Sequence, residues 1–497
     1  MRRSQRGWMT ALLQLLSSLT HADELRPLID PLKLQQDITA EGLISNLVTL
    51  DSIAKANGGN RAFGLPGYAA SVDYIWSQVS NIPRTRAWKQ NLDSLFDQII
   101  SLELRVDDKE IPIFGLTYSP STSPEGLTAE VIHGPPELSG CEDGSYENLD
   151  VMNKIVLIER WRCPTGNTLA GRIFPAARAG AAAVIIYNDT PANISGGTLS
   201  TPDKDHVPAG FINRSEGLKL KARLDAGEKF TAYFQQTQIV EQRTTQNVFV
   251  ETEEGDPHNT IILGAHLDSV QAGAGINDDG SGSSLVLEVF RHSQKYTPKN
   301  RLRFAWWAAE ENGLVGSRYY CSNLNSSEIN GILAYLNFDM VSRGFYGVGT
   351  PAVNATAIPP PGSEVIAGLY RKYYEGRGIE VTAANLTNGS DYASFWRLLN
   401  KPFGYLHTGT GVAQDPCYHR ACDTIDNVNA ETLTENARAA AHIVGILSLN
   451  GTGLIPKVLV NETAVASIPT MNLAATFVDS KVLGAHSERH VGCSKEA

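Results

Sequence analysis

Five separated segments each run from an apolar stretch into a polar end: IILGAHLDSV, GINDDGSG, RFAWWAAEEN, LAYLNFDMVS and DPCYHRACDT. Three read as buried strands, TIILGA ending at His266, RLRFAWWAA at Glu310 and Glu311, and ILAYLNF at Asp339. A further strand, PFGYLHTG, comes shortly before the loop that bears His419. From Gln246 onward strand and helix alternate, the βα order of a largely parallel sheet. Open α/β sheets collect ligands beyond the carboxyl ends of their strands, so residues distant in sequence would meet at one rim. The expected fold is therefore α/β, a mixed, mostly parallel sheet with helices on both faces.

The side chains so gathered are His266, Asp278, Glu310, Glu311, Asp339 and His419. Two imidazoles and four carboxylates are the donors that two zinc ions and one water require, a shared carboxylate holding ions roughly 3.5–4 Å apart. Asp278, in the turn before the helix SSLVLEVFRHS, is the expected bridge, although an Asp there also suits a helix cap. Asp268 lies two residues beyond His266 on an extended strand end, and is expected to accept the second N–H of that imidazole. Paired glutamates at a helix start also serve as dipole partners. Here one acid can bind metal while its neighbour faces the water, which assigns Glu310 as general base and Glu311 as ligand. Asp339 ends an apolar strand with no basic residue before Arg343, and an unpaired buried carboxylate is expensive. Tyr418 is a natural donor to the oxyanion of a tetrahedral intermediate. His407, in YLHTG, reads as a packed strand histidine rather than a third imidazole ligand.

At 497 residues the chain exceeds one ordinary core, so two domains with appendages are expected. A hydrophobic fraction of 42% with 19% charged residues excludes a disordered chain, and the net charge of −11 argues against non-specific binding to nucleic acid or anionic membranes. Arg2, Arg3 and Arg6 precede the mostly apolar stretch from Met9 to Leu19, and Thr20-His21-Ala22 follows, the pattern of a signal peptide over residues 1–22. No later apolar run is long enough for a membrane anchor. N-x-S/T acceptors stand at Asn188, Asn193, Asn213, Asn325, Asn354, Asn385, Asn388, Asn450 and Asn461, more than a chain of this size usually collects by accident. Six cysteines permit disulfides in a secreted chain, and Cys417–Cys422 and Cys141–Cys163 are the expected pairs, with Cys321 and Cys493 left over. The expected destination is outside the cell, the alternative a vacuolar or lysosomal lumen.

From about Gly126 the character changes to short strands, AEVIHG, KIVLIERW, AAVIIYND and HVPAGFIN, around the alanine-rich helix TLAGRIFPAARAGA. From about Gly453 the periodicity fades, and residues 453–497 are expected to form a tail outside the core.

GAHLDSV, GINDDGSG, WWAAEENGLVGS, LNFDMVS and CYHRACDT resemble the co-catalytic zinc aminopeptidases of the aminopeptidase Y type and the secreted fungal leucine aminopeptidases. The resemblance runs from PLIDPLKLQ to about Leu449. It implies a zinc-exopeptidase domain over residues 23–125 and 240–452, interrupted by a protease-associated (PA) domain over 126–239. It implies two Zn2+, with His266 and Asp339 on one, Glu311 and His419 on the other, and Asp278 bridging. Glu310 matches the family's base, Tyr418 the tyrosine that steadies the intermediate, and Asp278–Asp279 the family's cis peptide. Two positions depart from the pattern: Asn312 stands where an apolar residue is usual, and Gly389 in NGSDYASFW stands where the family has arginine. Both bear on the substrate pocket. The implied activity is removal of residues from peptides with free N-termini; a monomer with no nucleic-acid partner is expected. Carboxypeptidases, dipeptidases and glutaminyl cyclases share the metal core, and receptor-like shells share the architecture. Such shells lose ligands, whereas this chain keeps all five and the base.

Overall fold

The computed structural model describes residues 26–164, 169–192, 194, 196–352, 355 and 357–460. The signal segment expected over 1–22, the acceptors Asn193, Asn354 and Asn461, Cys493 and most of the expected tail lie outside the described residues.

Helix α1 (Pro31–Asp37) begins at Asp30, whose carboxylate caps the amides of Leu32 and Lys33. The apolar periodicity runs straight on in sequence, but Thr39 takes the amide of Gly42 and starts a second helix, α2 (Ala40–Ala56). Its buried stripe of Leu43, Leu47, Leu50 and Ala54 keeps helical spacing. Helix α3 (Pro66–Val79) follows. Strand β1 (Thr85–Val106) then leads out of this unit for 22 residues.

The inserted unit follows, with strands β2 (Lys109–Glu110), β3 (Ile113–Thr117), β4 (Leu127–His133) and β5 (Ile155–Glu159); β3, expected with residues 23–125 of the exopeptidase domain, pairs instead with Gly197–Thr198 and Ala209–Ile212 of this unit. Helix α4 (Ala170–Arg178), strands β6 (Ala183–Tyr187), β7 (Gly197–Thr198) and β8 (Ala209–Ile212), and helix α5 (Arg214–Asp225) complete it. Its sheet alternates cleanly: Val156 and Ile158 face one core, Ile155 and Leu157 the other. Strand β9 (Thr231–Thr252) returns antiparallel to β1, paired from Val106–Ala232 to Thr85–Thr252 with one register shift between Ile99 and Ser101.

The larger unit resumes with β10 (Asp256–His266), α6 (Ser281–Ser293), β11 (Asn300–Trp307), α7 (Val315–Ser322), α8 (Ser326–Gly331) and β12 (Ile332–Phe338). It ends with β13 (Tyr346–Thr350), α9 (Ser363–Glu375), β14 (Val381–Asn385), α10 (Tyr392–Arg397), β15 (Phe403–His407) and α11 (Ala430–Leu454). The strand order here is β14-β13-β15-β12-β10-β11-β9. At its centre β15, β12, β10 and β11 run parallel, while β9 and β13 are antiparallel to their neighbours β11 and β15. The central strands are buried on both faces, as parallel strands under two helical layers must be. Ile261 and Leu263 join the core shared with α2, α6 and α11, while Ile262 joins the core of Tyr320, Phe395 and Trp396 from α7 and α10.

Two further expectations need correction. Residues 453–460 run over the larger unit and stay tied to it: Ile455 is buried, Lys401 Nζ donates to Val458 O at 2.6 Å, and Asn330 pairs with Val460 in both directions. Asn188 is also not available to a glycan in the folded chain. It is wholly buried, and its Nδ2 donates to Thr190 Oγ1 and Ala192 O at 3.2 and 3.1 Å. Asn325, Asn385 and Asn450 are exposed, and Asn213 and Asn388 half-buried. Cys141 is joined to Cys163 and Cys417 to Cys422. Cys321 is buried without a disulfide partner among the described residues.

Candidate metal centre

β10, β11 and β12 are parallel neighbours, with His266 opposite Trp307 and Gly264 opposite Asn337, so their carboxyl ends share one edge. The sequence therefore delivers His266, Glu310, Glu311 and Asp339 to one rim. Nε2 of His266 lies 3.2 Å from Oδ1 of Asp278 and 3.7 Å from Oδ1 of Asp339. Nε2 of His419 lies 3.1 Å from Oδ2 of Asp278 and 3.1 Å from Oε2 of Glu311. Two donor groups result, His266–Asp278–Asp339 and Asp278–Glu311–His419. Asp278 belongs to both and offers a different oxygen to each.

The backbone that aims these groups is unusual for L residues. Ala309, Met340 and His419 adopt left-handed conformations (φ 53°, 54° and 55°): His419 is itself a candidate ligand, Met340 follows the candidate ligand Asp339, and Ala309 precedes the candidate base Glu310. Such a conformation costs about 1–2 kcal/mol per residue, and is typical of a site whose surroundings over-determine it. The Asp278–Asp279 peptide is cis, as the resemblance implied.

Carboxylates behind the ligands tie the rim together. Asp279 accepts the amides of His266 (3.2 Å), Gly282 (2.8 Å) and Met340 (3.1 Å), and so joins β10, α6 and the end of β12. Asp423 accepts the amides of Asn277 (2.9 Å) and Asp278 (3.0 Å). Asp415 accepts Nδ2 of Asn277 (2.7 Å) and of Asn427 (3.0 Å), anchoring the loop of His419 to the turn of Asp278. Asp339 is oriented by Ser390 at the end of a relay from Trp307 Nε1 through Tyr335, Asn337 and Ser390. Asp279, Asp415 and Asp423 were missed in the sequence. Only the density of acids beside the ligands, DD in GINDDGSG and the outer aspartates of DPCYHRACD, marks them there.

One assignment is corrected. The carboxylate of Asp268 is not the partner of the His266 imidazole: Nδ1 lies 3.1 Å from the Asp268 main-chain oxygen and 3.8 Å from its nearer carboxylate oxygen. That carboxylate instead accepts the amides of Glu310 (3.0 Å) and Glu311 (3.2 Å). The side chain holds the glutamate pair, and its own main chain holds the histidine.

Burial and the charges of Glu311 and Asp339 push the Glu310 carboxyl well above its ordinary range, against the pull of His266. For Asp278 burial acts in the same sense, but hydrogen bonds with His266 and His419 win and hold it well below the usual range. Burial lowers His419, yet Glu311 and Asp278 outweigh it and raise the imidazole to about 10. Burial first, then the neighbouring acids, keeps the Tyr418 phenol well above its normal value, and its ring stacks on His419 at 3.8 Å between centroids. His407 sits outside both donor groups, its Nδ1 2.8 Å from Asp339 O and its ring stacked on Tyr405.

The donors fit divalent zinc: imidazole nitrogens and carboxylate oxygens in two groups of three that share one carboxylate. Glu311 Oε1 is buried without a hydrogen-bond partner, an electron pair that a cation would satisfy.

The description of Peptidase family M28 matches residues 247–444, and that of the PA domain matches residues 127–220. Leucine aminopeptidase 2 of Trichophyton rubrum is 34% identical over 456 residues, covering 87% of this chain and 89% of that protein. The probable leucine aminopeptidase 2 of Aspergillus oryzae (strain ATCC 42149 / RIB 40) is 35% identical over 459 residues, with the same coverage of 87% and 89%. Among solved structures, the aminopeptidase from Aneurinibacillus sp. strain AM-1 superposes with a TM-score of 0.69 at 26% identity, covering 87% of this chain and 98% of its own. With its PA domain inserted between two parts of an aminopeptidase fold, the chain belongs to peptidase family M28 and is a metallo-aminopeptidase.

Proposed function

We propose that this protein is a secreted, monomeric di-zinc aminopeptidase that removes residues from peptides with free N-termini. The observation that carries the reading is the pair of donor groups sharing Asp278. His266 and Asp339 would hold one ion, Glu311 and His419 the other, with Asp278 common to both. Bound zinc polarises a scissile carbonyl and lowers the pKa of water so that it attacks at neutral pH.

The chain's own groups supply the rest. Glu310, a carboxylate made more basic by burial and by its acidic neighbours, takes the proton from water and returns it to the leaving amine. Tyr418 keeps its hydroxyl proton and donates it as a hydrogen bond to the carbonyl oxygen as charge develops. Asp268 keeps Glu310 and Glu311 in position through their amides. Rim carboxylates hold the substrate's ammonium and so select the N-terminus. The relatives' names support an apolar first residue such as leucine, while Asn312 and Gly389 reshape the pocket that receives it.

Secretion is supported by the signal-like pattern over residues 1–22, by the two disulfides and by the exposed acceptors Asn325, Asn385 and Asn450. Among the described residues no helix is long and apolar enough to cross a membrane.

Elemental analysis of the purified chain, alongside hydrolysis of free and N-acetylated dipeptides, tests the reading. The expected result is two zinc ions per chain and cleavage of the free dipeptide only. One ion per chain at saturation would remove the bridging role of Asp278, and equal cleavage of the acetylated dipeptide would make the enzyme something other than an aminopeptidase.

A further inference from the structure

We infer that Arg61 is a positioning residue of the metal centre, whose guanidinium fixes the loop that sets His266 and Asp278 at their spacing. The inference rests on the two-zinc reading and extends it to a residue more than two hundred positions away in sequence.

Arg61 lies in the segment between α2 and α3 and is fully buried. Its Nε donates to Ala274 O at 2.9 Å, its Nη2 to Gly275 O at 2.6 Å, and its Nη1 to Leu267 O. All three carbonyls belong to the loop that leaves His266 and runs into the turn of Asp278. The main chain adds two links: Arg61 N donates to Ser269 Oγ at 2.9 Å, and Ser269 N to Arg61 O at 3.3 Å. Ser269 Oγ donates in turn to Gly273 O at 2.9 Å, drawing the loop closed. Gly275, at φ 61°, also accepts Gly280 N at 3.0 Å, so the carbonyl that Arg61 grips is itself part of the turn around Asp278.

Burying a guanidinium is costly, and a loop could be packed with apolar residues instead. What Arg offers is a planar fork that holds several carbonyls in one rigid frame, which a lysine ammonium on a flexible stem cannot do. Its charge also sits among the acids of the site, acting on Asp268, Asp423, Asp279 and Asp278. The fork and the charge thus serve the same rim. Groups behind the ligands commonly govern metal affinity by ten- to hundredfold.

The inserted domain provides an internal control. Arg172 is equally buried and likewise grips three carbonyls, those of Glu159 (2.8 Å), Glu137 (2.6 Å) and Pro135 (3.4 Å), with no candidate ligand beside it.

The experiment measures zinc dissociation constants by competition with a chromophoric chelator, together with kcat, KM and zinc-free melting temperature. It compares the full-length wild type with Arg61→Lys, Ser269→Ala and Arg172→Lys. Arg61→Lys is expected to weaken zinc about ten- to hundredfold and to lower kcat more than KM. Ser269→Ala, the milder change, is expected to weaken zinc severalfold. Arg172→Lys is expected to lower the melting temperature while leaving zinc affinity within about twofold. Wild-type zinc affinity in Ser269→Ala and in any folded Arg61→Lys protein overturns the inference, whatever their melting temperatures. An equal loss of affinity in Arg172→Lys would show a general effect of instability and overturn it too. Failure of the wild type itself to bind two zinc ions would instead refute the two-zinc reading.

Discussion

The carboxylate of Asp268 accepts the amide of Glu310 at 3.0 Å, joining the end of β10 to the end of β11. Its other oxygen takes the amide of Glu311 at 3.2 Å, so one side chain fixes two adjacent acids with different assigned tasks. In Asp268→Asn one of those oxygens becomes an NH2 group, which faces a backbone N–H and repels it. The expected outcome is a fall in kcat of about ten- to hundredfold with zinc still bound. Steady-state kinetics on a metal-saturated sample measures it. An unchanged kcat would mean that the pair is held by its own turn, where Gly313 and Leu314 both donate to Glu310 O at 2.8 Å.

Glu310→Gln should leave zinc content almost intact and lower kcat by about two to four decades, the range for a lost general base. Metal analysis and turnover on the same sample read both quantities. Parallel loss of zinc and activity would exchange the assignments of Glu310 and Glu311.

The Cys417–Cys422 bridge closes a ring too small to restrain the unfolded chain much. Asp415 and Asp423 already tie down the two ends of its loop. Replacing both cysteines by serine should therefore move the zinc-free melting temperature by only about 3 °C or less, an effect below about 1 kcal/mol. Between its ends, however, the bridge aims Tyr418 and His419, and a displacement near 1 Å in a catalytic group can cost on the order of a hundredfold. Turnover should fall clearly, and zinc affinity with it. Wild-type turnover without the bridge would assign the aiming to the two aspartates alone.

Lys401 is fully buried, and burial, then the charge of Lys457, lowers its ammonium to about 8. The unfolded lysine titrates near 10.4, so between about pH 8 and pH 10 the unfolded chain binds more protons than the folded one. Stability from this group must rise with pH across that window, and the full penalty applies below it. Denaturant titrations of wild type and Lys401→Met should show the wild type gaining about 1–2 kcal/mol relative to the variant from pH 8 to pH 9.5. A constant difference would mean that the lysine stays charged, satisfied by Val458 O at 2.6 Å.

Hydrophobic runs ending in single acids or imidazoles made the ligands readable, because parallel strands buried on both faces leave the polar residue at their carboxyl end. The signal was local for His266, Glu310, Glu311 and Asp339. It was absent for Arg61, whose surroundings in sequence, GNRAFG, carry no trace of the carbonyls it grips in the loop after β10. Asp268 was found and given the wrong partner. Alternation along a strand predicts which face a side chain shares, but not that the chain just past His266 turns the Asp268 carboxylate toward the amides that follow β11. The acceptor pattern at Asn188 was equally blind to burial, which is settled by the packing of the inserted unit. The split between α1 and α2 turned on one capping threonine within an unbroken periodicity.

Strands β1 and β9 carry a further consequence. They run side by side up to the register pair Val106–Ala232, so the point where the chain departs for the PA domain and the point where it returns are neighbours in one ladder. From the viewpoint of the catalytic fold, a whole domain is spliced in at the tip of a hairpin. The gap the chain must bridge there stays the same whatever the size of the guest, and the host loses little configurational freedom by carrying it. Such a joint lets one module be exchanged, lengthened or trimmed over evolutionary time while the rim that holds the metal ligands keeps its shape.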